Sequence, residues 1–126
     1  MKMTLSGSIH ARWGHRVGGL IHTHAWTVTA VVAGDPDDDV VFPADDLEAL
    51  LNAAVDPWRG QYLTDVDMGE WKGYAALVWD REPTVEEIVR RLWRALEPDV
   101  PGLVEVALTE AGEFDRCRVV TLSADV

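Results

Sequence analysis

His22-Thr23-His24-Ala25-Trp26-Thr27-Val28-Thr29-Ala30-Val31-Val32 is the stretch whose reading decides the fold. Its alternation has the period of a strand with one face buried. Residues two apart on a strand point the same way, so His22 and His24 stand side by side. An isolated His-x-His pair is more often ordinary surface than a ligand set. A third imidazole brought alongside would complete the three-nitrogen set of a catalytic zinc site, which leaves its fourth position to water or substrate. His10 is the candidate for that third place. Met3 to Arg12 also reads as a strand, with Met3, Leu5 and Ile9 on one parity and Thr4, Ser6, Ser8 and His10 on the other. A glycine-bearing connection, Gly14 to Gly19, would return the chain antiparallel and set His10 and the pair near the loop end of one hairpin.

Composition limits what such a site can serve. A chain of 126 residues, 48% of them hydrophobic, fits one folded domain, residues 1–126. A net charge of -11 argues against general binding to nucleic acid or to an anionic membrane, both of which repel it. The single cysteine, Cys117, leaves no intramolecular disulfide framework and fits a reducing cytoplasm. It is expected as a buried strand residue. The start, Met1-Lys2-Met3-Thr4, lacks the apolar core of a signal peptide, and no apolar run is long enough to span a bilayer.

Beyond the second strand, Gly34-Asp35-Pro36-Asp37-Asp38-Asp39 reads as a solvated turn, since it lacks calcium-loop spacing. A helix begins near Asp45, with Leu47, Leu50, Leu51, Ala54 and Val55 at helical spacing, and Pro57 ends it. Trp58 to Arg81 is the least regular stretch: a loop whose aromatics pack onto the body, or a lid over a pocket. The second helix carries a capping box, Thr84 with Glu87, and a stripe of Val85, Ile88, Val89, Leu92 and Leu96. Arg90, Arg91 and Arg94 read as its solvated side. Two further strands follow, Leu103 to Glu110 and Arg116 to Leu122, so the order is two strands, two helices, two strands.

With these histidines, that order resembles the 6-pyruvoyl-tetrahydropterin synthase / 6-carboxytetrahydropterin synthase family along nearly the whole chain. Ser6-Gly7-Ser8-Ile9-His10 stands at the family's aromatic-x-Ala-Ala-His segment, and Gly19-Leu20-Ile21-His22-Thr23-His24 at its Gly-x-x-His-Gly-His. Pro83-Thr84-Val85-Glu86 stands at Pro-Thr-x-Glu, and Thr109-Glu110-Ala111 at the Glu-Thr pair. The resemblance implies an α+β T-fold: a four-stranded antiparallel sheet with two helices on one face (ββααββ). It implies sheets joined edge to edge into an oligomeric barrel, a trimer-based homo-oligomer or hexamer with sites between subunits. It implies Zn2+ held by His10, His22 and His24. It also makes Glu110 the anchor for the guanidine-like edge of a pterin, a task that suits a carboxylate accepting two parallel N–H bonds.

The chain departs from the family where the protons move. The cysteine expected before His-x-His is absent from Arg16-Val17-Gly18-Gly19, and Arg59 and Gly60 replace the Asp-His pair ahead of Leu63 and Asp65. A run around Met68 to Trp79 is additional. A general base must reach its proton, and glycine has nothing to reach with. His15, in the loop before His-x-His, is the first candidate for the proton shuttle and Asp65 the second; Tyr62, Asp67 and Glu113 are weaker ones. The leading expectation is a divergent zinc-dependent lyase or cyclase acting on a small heterocyclic or oxygenated metabolite, suited to specialised biosynthesis. A non-catalytic zinc- and ligand-binding module, and a true pterin synthase with substitute relay residues, are the alternatives.

Overall fold

Two glycines set the first hairpin. In the computed structural model, which describes residues 1–112 and 116–124, β1 (Met3–Val17) and β2 (Leu20–Gly34) are joined by Gly18 and Gly19 alone. Their φ angles are 61° and 80°. Such a two-residue turn follows the twist of the strands, and its positive φ values favour glycine. The hairpin is therefore longer and tighter than the Gly14 to Gly19 connection expected from sequence. Gly14 and His15 lie inside β1, and pairing runs unbroken from Met3 opposite Gly34 to Val17 opposite Leu20.

The sheet has six strands in the order β4-β3-β1-β2-β5-β6. This corrects the expected four-stranded antiparallel sheet. The central hairpin, β5 (Leu103–Ala111) and β6 (Cys117–Ser123) are antiparallel neighbours, as expected. The additions are β3 (Gln61–Thr64) and β4 (Ala75–Val78), both parallel to β1. They come from the stretch read as an irregular loop. Four residues are too few to display a period, and the buried run Tyr62-Leu63-Thr64 does not alternate. β3 meets β1 only at Gly14 and His15. Among the described residues, the outer side of β1 before Gly14 carries no strand.

Both helices cover one face. α1 (Ala44–Val55) packs on β1, and α2 (Val85–Leu96) on β5 and β6. α1 buries Leu47, Leu51 and Val55. It approaches β1 closely at Gly7, where a methyl group would stand 3.0 Å from Leu47 Cδ2. At the start of α2, Thr84 Oγ1 accepts the Glu87 N–H at 3.2 Å. Only this half of the capping box forms. The buried Glu87 side chain turns instead to Arg91 Nε at 3.0 Å and Arg90 at 3.3 Å. Burial alone would raise the Glu87 carboxyl, but these hydrogen bonds hold it below the usual carboxylate range. Arg91 also pairs with Asp80 at 2.6 Å and lies 3.9 Å from the Trp79 ring centre. So two of the three arginines read as a solvated face are paired with Glu87, although Arg90, like Arg94, is exposed.

Tryptophans fill the core at the hairpin end. Trp13 and Trp26, both fully buried, stack with ring centres 5.0 Å apart, and Trp58 meets Trp13 edge-on at 5.3 Å. Trp26 Nε1 donates to the Trp13 carbonyl at 3.0 Å. Trp13 Nε1 is buried with no partner among the described residues. Cys117 is exposed at the first position of β6, not buried as expected. Among the described residues, no helix is long and apolar enough to cross a membrane.

Candidate metal centre

Register places the histidines. Residues directly opposite in an antiparallel pair share a face. His15 lies opposite His22, and Trp13 opposite His24, so His15, His22 and His24 all stand on the helix-covered face. His10 lies opposite Thr27 on the other face, exposed, with Nδ1 2.9 Å from Thr27 Oγ1. The structure therefore does not bring His10 to the pair. The shorter turn moves the residue facing His22 five positions along β1, from the neighbourhood of His10 to His15.

His15 is fixed in place by burial and by a backbone carbonyl. It is 5% exposed, and its Nδ1 is 2.9 Å from the Pro83 carbonyl just before α2. A carbonyl only accepts, so Nδ1 carries the proton and Nε2 is left with its lone pair. A backbone carbonyl that fixes one ring nitrogen in this way is the usual support of a metal-binding imidazole. Burial, reinforced by neighbouring His24, pushes the His15 pKa down against the opposing pull of the Pro83 carbonyl and Glu110. His24 is also lowered, chiefly by burial, with Glu110 opposing. Both rings are thus neutral near pH 7, the form that binds metals.

Glu110 completes the group. It lies opposite Trp26 on β5, and Oε1 is 3.6 Å from His24 Nε2. One donor atom from each of His15, His24 and Glu110 lies within 4.8 Å of the others, so these three could hold a metal ion. His22 is adjacent but more open, with its ring centre 6.0 Å from that of His24 and 6.4 Å from that of His15. Trp26 braces the cluster from below, edge-on to His15 at 5.2 Å and to His24 at 5.0 Å.

The cluster opens into a cavity of about 750 Å³, bounded by the turn end of β2, the first turn of α2, and the facing ends of β5 and β6. That volume suits a small organic molecule. Glu86, Arg116 and Arg118 line it, and sequence reasoning did not single out these arginines. The proton-shuttle candidates fare differently. His15 belongs to the cluster. Asp65 is exposed and pairs with Arg16 at 3.6 Å. Tyr62 is buried and donates to the Gly69 carbonyl at 2.5 Å, while Asp67 accepts from the Gly69 N–H at 2.8 Å. None of these three lines the cavity. Glu113 lies outside the described residues.

The family model for 6-pyruvoyl tetrahydropterin synthase matches residues 8–120. The chain belongs to this family. Solved structures with the same fold include an uncharacterised protein of Wolinella succinogenes, 13% identical, with a TM-score of 0.79 and 99% of each chain covered. The 6-pyruvoyl tetrahydropterin synthase of Caenorhabditis elegans is 15% identical, with a TM-score of 0.63, 99% of this chain and 96% of that one being covered. A Plasmodium vivax 6-pyruvoyltetrahydropterin synthase with a catalytic glutamate replaced by alanine is 12% identical, at a TM-score of 0.57 and 98% coverage of both. No curated protein matches the chain.

Proposed function

We propose that this chain is a zinc-dependent lyase of the tetrahydropterin-synthase type, acting on a pterin-like heterocycle. The observation that carries the reading is the buried His15, locked through Nδ1 to Pro83 so that Nε2 is left for a ligand beside His24 and Glu110. In this reading His15, His22 and His24 hold the ion, which polarises a substrate oxygen and acidifies the adjacent C–H when bound. Glu110 accepts the N–H groups of the heterocycle's guanidine-like edge.

Proton transfer needs a residue in reach of the substrate. Among the described residues, Glu86 is the cavity-lining carboxylate outside the metal cluster, and it takes that role here. A catalytic glutamate has a precedent in the family, in the Plasmodium vivax enzyme. Sites between subunits also suit the open outer side of β1, because an unpaired strand edge is a template for pairing.

Incubating the zinc-loaded protein with dihydroneopterin triphosphate tests the proposal. The expected result is metal-dependent consumption of the substrate, reduced roughly a hundredfold or more in Glu86→Gln, in line with the usual worth of a general base. An unchanged substrate at full zinc occupancy would contradict it and favour a binding module.

A further inference from the structure

The chain is strongly acidic, yet the wall of the cavity facing the histidines is basic. Arg118 lies opposite Glu110 across the β5–β6 pair, and so on the same helix-covered face. Arg116 precedes it by two residues. Its carbonyl accepts the Gly112 N–H at 2.7 Å, which ties it to the end of β5. The face thus carries two i, i+2 pairs, His22 and His24 on β2 and Arg116 and Arg118 on the far side of β5. Strand spacing puts them roughly 10 Å apart. Among the described residues, neither arginine forms an ion pair within 4.0 Å, although Glu110 lies opposite Arg118 and Glu86 lines the same cavity.

We infer that Arg116 and Arg118 form a subsite for an acidic group of the ligand, a carboxylate or a phosphate. Guanidinium groups present paired N–H donors that match both oxyanions. With donors on one wall and a metal-ligating cluster on the other, the cavity takes a small molecule that offers a coordinating atom at one end and an anion at the other. The arginines also make the cavity mouth attractive to an anion that the rest of the surface repels. This inference specifies the ligand of the site proposed above, but it does not depend on that site being catalytic.

Binding titrations on the full-length protein test it, with pterin, pterin-6-carboxylate and inorganic phosphate as separate probes. The carboxylate is expected to bind roughly tenfold or more tightly than pterin, and that preference to vanish in the Arg116→Gln/Arg118→Gln variant. Arg94→Gln, an exposed change on α2, should keep it. Phosphate binding, followed by 31P NMR, should fall in the same double variant, and the arm with the larger loss identifies the preferred oxyanion. Thermal melting of each variant separates lost binding from lost fold. Equal affinities in wild type and a folded double variant would overturn the inference. Loss of zinc and of turnover with the arginine-dependent preference intact would sink the lyase proposal alone.

Discussion

His15→Ala is expected to cost the protein its metal, whereas His10→Ala leaves it in place. The reason is geometric. His15 shares a face with His22 and His24, and its Nδ1 bond to Pro83 fixes both tautomer and ring direction. His10 points from the opposite face of the same strand. Loss of a supporting hydrogen bond alone typically costs 10- to 100-fold in metal affinity, so loss of the ligand should cost roughly a hundredfold at least. Zinc content after dialysis, with calorimetric titration of the metal-free protein, measures it. The same assay divides the roles of Glu110 and His22. If Glu110 serves as the substrate anchor, Glu110→Gln retains zinc and loses heterocycle binding, while His22→Ala loses zinc. The opposite pattern would make Glu110 the third ligand.

Trp13→Ala should be the most destabilising single change at this end of the sheet, by about 3–5 kcal/mol in urea unfolding. Trp13 is fully buried between Trp26 and Trp58, and truncation leaves a cavity that those two rings cannot collapse to fill. Zinc affinity should fall with it, because Trp26 braces both His15 and His24. Trp13→Phe should cost clearly less. It keeps an aromatic ring in place and removes an indole N–H that has no partner among the described residues. A loss below about 1 kcal/mol for Trp13→Ala would mean that the aromatic layer does not support this end of the molecule.

Alternation made the two long strands and their polar and apolar faces legible, and helical spacing with the Thr84 cap located both helices. The structure does not bring His10 to the His22–His24 pair, and the sequence carried a signal to that effect. His10 shares its parity with Thr4, Ser6 and Ser8, a polar face, while His22 and His24 share theirs with Trp26 and Val28, an apolar one. His15 shares its own with Leu5, Ile9 and Trp13, and parity alone favours it. Reading Gly14 as the start of the turn hid this, because a glycine inside a strand and one in a turn look alike until the register is known. The β3–β4 addition was not legible for another reason. Its strands are short and are defined by parallel pairing, β3 to β1 and β4 to β3, which no local pattern encodes. Arg116 and Arg118 gain meaning only from the register that sets β6 against β5.

Anomalous diffraction at the zinc edge, from crystals of the zinc-loaded protein, tests the metal centre most directly. The expected result is a single strong peak on the helix-covered face, within bonding distance of His15 Nε2 and of a His24 ring nitrogen. A peak at His10, or a fully loaded crystal with none beside His15, would contradict it.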